Sequence, residues 1–98
     1  MQRSSSNHDA DAIASAEILA LRALAWTLAA PDRAQRLLDV TGLTPNDLKT
    51  GADNRQTLAA LLGFLDGYEP DLIACAADLD VRPEALVAAR RRLDGERA

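Results

Sequence analysis

The length, composition and charge of this chain limit both its fold and its chemistry. Its 98 residues allow one domain, and its hydrophobic fraction of 48% is mostly alanine and leucine, because only 3% is aromatic. These residues favour helices, so we predict an all-α fold, a single compact bundle of about five to six short helices around a long first helix. One cysteine excludes an intramolecular disulfide, and the net charge of −4 argues against strong non-specific nucleic-acid binding.

The N-terminal residues 1–8 are polar and show no periodicity, so we predict a disordered tail there. They lack the apolar core of a signal peptide, and the apolar stretch at 13–30 contains too many polar residues to span a bilayer. We therefore expect a cytoplasmic protein that does not bind a membrane. Asp9 or Asp11 is expected to cap the first helix, and residues 9–95 form the predicted helical domain, with 96–98 frayed.

The first helix is predicted to run roughly to Ala29 and is apolar over most of its circumference, which is typical of a helix with neighbours on several sides. Ile18, Leu21 and Leu28 share one stripe, and Leu24 broadens it. This periodicity, with that of the later helices, predicts the buried core. Its expected members are Leu21, Leu24, Leu28, Leu37, Leu61, Leu65, Ile73, Leu79 and Leu86.

Prolines, capping residues and glycines mark the ends of the remaining helices, because prolines and polar caps favour a helix start and glycine favours a helix end. We predict starts at Pro31, at a capping box formed by Thr44 and Asp47, at a cap on Asp53, at Glu69 or Asp71, and at Pro83. We predict ends at Gly42, Gly51, Gly67 and near Gly95, and a break at Val81.

Residues 72–93 follow the pattern of a helix-turn-helix, with Asp80 at the turn position where glycine is usual. Base edges are read by polar side chains, and only Arg82 and Arg91 on the second helix suit this task. The other outward positions hold proline, glutamate, valine and alanine. The pattern therefore favours a helix-turn-helix shape used for packing, and a nucleic-acid-binding regulator is the alternative function.

A run of arginines and the single tryptophan are the candidate interaction residues. Arg90 to Arg92 close the last helix, where cations complement the helix dipole, and they can be a solvated helix end or a contact for an acidic partner. Trp26 can anchor the core or mark an interface, and Arg22, four residues earlier, can place a cation on its ring. The candidate interaction surface is Arg82, Arg90, Arg91, Arg92 and Trp26.

The sequence offers little for catalysis. The only histidine, His8, lies in the predicted tail, and Cys75 lies among apolar neighbours and is expected to be buried and inert. The His-Asp-Ala-Asp segment at 8–11 suits helix capping better than metal binding. We therefore expect no enzyme, no cofactor and no catalytic or metal-binding residue. The favoured function is a protein-interaction or adaptor module that binds another protein, and a small-molecule binder stays open.

Two motifs carry a resemblance to a known family. The first is A-E-x-L-A-L-x-A-L at 16–24 and the second is G-L-x-P-x-x-L at 42–48, followed by a proline-started last helix. With these motifs the chain, over roughly residues 13–93, resembles a family of small all-helical bacterial proteins catalogued as a domain of unknown function. The resemblance implies an all-helical fold of this length and no established activity, so it transfers no functional residue.

Overall fold

Six α-helices account for the regular structure of residues 4–52 and 54–95, which are the residues that the computed structural model describes. They are α1 (Ser4–Leu28), α2 (Pro31–Thr41), α3 (Pro45–Thr50), α4 (Arg55–Asp66), α5 (Glu69–Leu79) and α6 (Pro83–Leu93). Side chains are described for residues 11–52 and 54–95. The described part of the chain contains no strand, and the predicted all-α bundle around a long first helix is confirmed.

The first helix begins earlier than the sequence predicts. α1 starts at Ser4, so the predicted start at Asp9 or Asp11 is wrong, and residues 4–8 of the predicted disordered tail are helical. Adding a residue to an established helix costs little, so polar serines can extend α1 beyond its apolar part. The predicted disorder of residues 1–3 and the predicted fraying of 96–98 lie outside the described residues.

The helix ends follow local sequence chemistry. The capping box is present, since the Asp47 amide donates to the Thr44 hydroxyl and the Thr44 amide donates to the Asp47 carboxylate, at 3.0 and 2.9 Å. Gly42 ends α2 in the left-handed conformation, with φ 76°. Asn54, rather than the predicted Asp53, caps α4, because its side-chain oxygen accepts hydrogen bonds from two amides of the first turn. Asp53 itself lies outside the described residues.

The core lies where α1, α4 and α6 meet, with α2 and α5 packed around them. α4 supplies its largest side chains, and α1 contributes alanines that let neighbouring helices approach closely. The fully or almost fully buried members from these two helices are Ala20, Ala23, Leu58, Leu61, Leu62 and Leu65. Of the predicted core, Leu24, Leu37, Leu61, Leu65 and Leu86 are confirmed as buried, and Leu79 packs against the core while partly exposed.

Three predicted core residues are wrong. Leu21, Leu28 and Ile73 are 40%, 41% and 49% exposed. Leu21 lies on the exposed face of α1, and Leu28, farther along the same face, borders α2 and α3 at the end of the helix. Ile73 lies on the outer side of α5, whose inner side presents Leu72 and Cys75. Periodicity identified the apolar faces of α1, but the described helices cover only one of them.

Within the described part of the chain, no single helix is both long enough and apolar enough to cross a membrane. The segments Asp11–Leu28 and Pro31–Thr41 meet these criteria only as a pair, across a bend of 116°.

Two glycines are expected to respond in opposite ways to alanine. A Cβ atom on Gly51 lies 2.5 Å from the Asp47 carbonyl oxygen and 2.7 Å from the Thr57 hydroxyl, so the backbone must shift. We expect Gly51→Ala to destabilise the protein by about 1–3 kcal/mol. A Cβ atom on Gly63, inside α4, meets no atom closer than the Arg90 Nε at 3.4 Å, so Gly63→Ala should stabilise by about 0.5–1 kcal/mol. Urea denaturation measures both, and effects of equal sign contradict this packing.

Candidate interaction surfaces

α1 presents two apolar faces on opposite sides of the helix. The inner face is buried against the bundle and includes Ala16, Ala20 and Ala23. The outer face is apolar and exposed over its whole described length. We call it the outer stripe of α1, and it consists of Ala14, Ile18, Leu21, Ala25 and Leu28. Ile18 is 61% exposed, which is more than the other two bulky residues of the stripe, Leu21 and Leu28.

The spacing within the outer stripe is regular. Its five positions follow each other at intervals of four, three, four and three residues. This is the interval at which one helix presents side chains to another helix packed alongside it. The sequence contained this signal, but its periodicity was interpreted as a buried face, and two residues of the stripe, Leu21 and Leu28, were assigned to the core.

The apolar surface extends beyond the outer stripe at its C-terminal end. Leu28 also lines a groove of about 560 Å³ whose other apolar walls are Ala34, Leu38, Pro45 and Leu48. The groove lies between the end of α1 and helices α2 and α3. Two polar residues of α3, Asn46 and Lys49, border it. The stripe and the groove meet at Leu28, and the groove adds the exposed Pro45 and the half-buried Ala34 and Leu38 to the accessible apolar surface.

The two charged residues beside the outer stripe lie on its opposite edges. Glu17 is half-buried and Arg22 is exposed, and neither forms an ion pair with any described residue. Arg22 donates one hydrogen bond, of 2.8 Å, to the backbone oxygen of Leu79. Its remaining donors and the Glu17 carboxylate are therefore available for a chain that packs on the stripe.

Trp26 is held by contacts inside the molecule. Its indole N–H donates to Asp78 of α5 at 2.6 Å, and the Arg33 guanidinium of α2 stacks 3.5 Å from the ring centroid. Arg33 also donates to the Trp26 carbonyl oxygen. The cation on the ring is Arg33 rather than the predicted Arg22. Trp26 thus links α1 to α2 and α5. Its side chain is half-buried, so only part of it is exposed for the predicted interaction.

The structure separates the arginines of the predicted interaction surface. Arg90 is half-buried, and its guanidinium bonds Asp66 of α4 at 2.9 Å and Asp94 at 3.4 Å. Arg91 and Arg92 are exposed on α6, and so is Arg82 before its first turn. These three form no ion pair with a described residue. Arg90 therefore links two helices, and three arginines are left for an external contact.

The different roles of adjacent arginines predict different stability effects. Arg91→Gln should cost a few tenths of a kcal/mol to about 1 kcal/mol, because only the helix-dipole contribution is lost. Arg90→Gln should cost about 0.5–1 kcal/mol more, since it also breaks two partly exposed ion pairs. Thermal unfolding of both variants in low salt measures the difference, which should shrink in high salt. A larger loss for Arg91→Gln contradicts the assignment.

The helix-turn-helix segment is part of the packed bundle. α5 and α6 are joined by residues 80–82, and Asp80 adopts the left-handed conformation, with φ 60°, at the predicted turn position. The second helix, α6, packs on α1 and α4 as well as on α5. Its exposed positions are Glu84, Ala88, Arg91 and Arg92, so the exposed arginines lie in its last turn and an acid lies at its start.

The chemically reactive residues do not converge. Cys75 is fully buried, and burial raises the pKa of its thiol from 9.0 to about 11. Among the residues with described side chains, no group of three His, Cys, Asp or Glu can hold a metal. The side chains of residues 8–10, which include His8, lie outside the described part of the structure. The predicted burial of Cys75 is confirmed, and its inertness stays a prediction.

A second cleft, of about 360 Å³, lies between α2 and α4. Arg36 lines it, packs 5.2 Å from the Tyr68 ring centroid and is paired with Asp71 at 2.9 Å. No local sequence pattern predicts this cluster, because Arg36 is 32 or more residues away from Tyr68 and Asp71 in the sequence. Its one cation is already neutralised, so the cleft offers an anionic ligand little attraction.

Comparison with known proteins places the chain in a family. The model of the family described as "Protein of unknown function (DUF3572)" matches residues 13–96. The chain belongs to this family. The resemblance carried by the motifs at 16–24 and 42–48 is thereby confirmed. The first spans both faces of α1, and the second forms the end of α2 and the capping box of α3. No curated protein and no solved structure matches the chain.

Proposed function

We propose that this protein is a non-catalytic protein-interaction module that docks another polypeptide chain on the outer stripe of α1. The observation that carries the proposal is the exposure of three large apolar side chains, Ile18, Leu21 and Leu28, on one face of the longest helix. Contiguous exposed apolar surface is uncommon on monomeric proteins and marks sites of association. Covering it removes apolar area from water, which is the main favourable term in protein association.

The regular spacing of the outer stripe supports a helix as the docked element. A helix with its own apolar stripe inserts side chains between those of α1 at intervals of three and four residues. The adjoining groove at Leu28 and Leu38 extends the surface beyond the end of α1. A partner helix can therefore contact the stripe along its described length, because all five of its residues are exposed.

The non-catalytic part of the proposal rests on residue chemistry. The buried Cys75 thiol stays protonated at neutral pH, because its pKa is about 11. The larger groove is walled mainly by leucine, alanine and proline, which supply neither a general acid nor a nucleophile. We further propose a bacterial and cytoplasmic protein, in keeping with the single cysteine and the resemblance of the motifs.

The nucleic-acid alternative has weaker support. It needs a free basic face on α6, whereas Arg90 is paired with two aspartates and α6 packs on three helices. Arg82, Arg91 and Arg92 are the arginines of the predicted surface that are left, with Glu84 exposed near the start of the helix. An acidic protein surface that contacts these arginines stays compatible with the proposal as a secondary contact.

Site-specific photo-crosslinking tests the proposed function. A photoreactive amino acid is placed at Ile18 in the outer stripe or at Ile73 on α5, which is the same residue type at 49% rather than 61% exposure. After irradiation in the native host cell, we expect a covalent adduct with a polypeptide from position 18 and none from position 73. Mass spectrometry of the adduct identifies the docked chain. Equal yields at the two positions, or no adduct at 18, contradict the proposal.

A further inference from the structure

Resting on the proposed function, we infer that the chain docked on the outer stripe of α1 is a second copy of this protein. The two copies are related by a two-fold axis, and their α1 helices run parallel. In such an arrangement each residue of the stripe meets its own counterpart or a near neighbour, so the stripe must be complementary to itself. The type, spacing and flanking charges of its residues meet this requirement.

The residue types of the stripe are those of a parallel two-stranded pair. In the a-to-g lettering of coiled coils, Ile18 and Ala25 take a positions, and Ala14, Leu21 and Leu28 take d positions. A β-branched residue at a with leucine at d favours two parallel strands over higher oligomers. Ile18, Leu21 and Leu28 follow this preference at all three bulky positions. The small residues at 14 and 25 let the helices approach at the remaining layers.

The flanking charges are complementary only in the parallel arrangement. Glu17 takes a g position and Arg22 takes the following e position, five residues later. In a parallel pair, g of one helix lies beside the next e of the other, so Glu17 of each copy meets Arg22 of the other. An antiparallel pair centred on Leu21 instead brings the two Arg22 edges together. Neither residue has an ion-pair partner among the described residues of its own chain.

The extent of the seam predicts a reversible dimer. From Ala14 to Leu28 the stripe is about 21 Å long, at 1.5 Å per residue. Isolated coiled coils need about three to four heptads, and the described stripe covers about two. Here α1 is already held by its inner face, so association does not have to order the helix. An interface of this size falls in the weak class, and we expect a dissociation constant on the order of 10 µM.

Sedimentation equilibrium of the purified full-length chain over a range of concentrations measures the dimer. Ile18→Glu should raise the dissociation constant at least about tenfold, because each dimer then carries two carboxylates in its apolar seam. Ile73→Glu, the matched change on α5, should leave it unchanged. Both residues are exposed, so circular dichroism should show the wild-type helix content for both variants. A dimer that is insensitive to Ile18→Glu overturns the inference.

Charge reversal tests the parallel direction. Glu17→Arg or Arg22→Glu alone places like charges at both flanking contacts and should raise the dissociation constant about fivefold to thirtyfold in low salt. Mixing the two variants should restore association as a mixed dimer, in which one copy has two positive flanks and the other two negative flanks. Strengthening of the dimer by Arg22→Glu, or no recovery on mixing, overturns the parallel arrangement.

The outcomes separate this inference from the proposed function. If the wild-type chain stays monomeric far above about 10 µM and the adduct from position 18 is a different protein, the second copy is wrong and the docking function stands. If the adduct is a second copy and the dimer responds to Ile18→Glu, both are supported. If position 18 gives no adduct and the chain is monomeric, both are overturned.

Discussion

Replacing Leu24 by alanine is expected to lower the free energy of unfolding by about 2–5 kcal/mol. Leu24 is 6% exposed and belongs to the core cluster that joins α1 to the bundle. Truncation removes buried methyl groups and leaves a cavity whose walls come from packed helices, so little of the loss can be recovered by relaxation. Urea denaturation monitored by circular dichroism measures the change.

Leu21→Ala is the matched control, since it is the same chemical change three residues earlier on α1, at an exposed rather than a buried position. Leu21 is 40% exposed, so the loss should stay below about 1 kcal/mol when the protein is dilute enough to be monomeric. Equal losses for the two variants contradict the assignment of inner and outer faces to α1. A Leu21→Ala loss that grows with protein concentration instead reflects association through the outer stripe.

Raising the pH from about 9 to about 11 is expected to remove about 2–3 kcal/mol of stability through Cys75. Burial raises the thiol pKa from 9.0 to about 11, so the folded state keeps the proton over a range in which the unfolded chain loses it. The stabilising contribution is complete below pH 9 and is lost as the pH rises through the folded-state pKa.

Cys75→Ala isolates this effect, because it removes the titrating thiol and keeps a small apolar side chain at the same buried position. The stability of wild type minus that of the variant should be constant below pH 9 and should fall above it. Denaturant midpoints of both proteins, collected across this pH range under reducing conditions, give the difference. A difference that stays constant up to pH 11 shows that the thiolate is accommodated in the folded state, contrary to its burial in the core.

The local features of the fold could be predicted from sequence because they depend on neighbouring residues. The Thr44–Asp47 capping box and the end of α2 at Gly42 are examples. Asn54, and not the predicted Asp53, caps α4. Both side chains carry an oxygen that can accept a hydrogen bond, so the sequence does not distinguish between these two adjacent positions. The start of α1 was predicted too late, since polar residues can continue a helix as well as cap it.

The assignment of the outer stripe could not be made from sequence. α1 is apolar on opposite sides, and periodicity does not state which side the bundle covers. The alanine-rich side became the inner one, because small residues such as Ala20 and Ala23 let α1 sit close to its neighbours. The larger Ile18 and Leu21 were left outside. The proposed docking role rests on this uncovered second apolar face.

Two of the predicted interaction residues make contacts with residues that are distant in the sequence. Trp26 bonds Asp78, 52 residues away, and Arg90 bonds Asp66, 24 residues away. No local sequence pattern predicts such pairs, because Asp78 and Asp66 lie on other helices than their partners. From the sequence, the arginines could be grouped only by their residue type and position. In the structure, Arg90 pairs with Asp66 and Asp94, whereas Arg82, Arg91 and Arg92 are exposed.

Thiol accessibility in the cell tests most directly whether the outer stripe of α1 is occupied. In a Cys75→Ala background, Leu21→Cys and Ile73→Cys place single thiols at sites of 40% and 49% exposure. A membrane-permeable maleimide should label both equally fast in dilute purified protein. In the native host cell, the thiol at position 21 should react several-fold more slowly than the thiol at position 73, because a docked chain covers it. Equal labelling rates in the cell contradict a protein-binding role for α1.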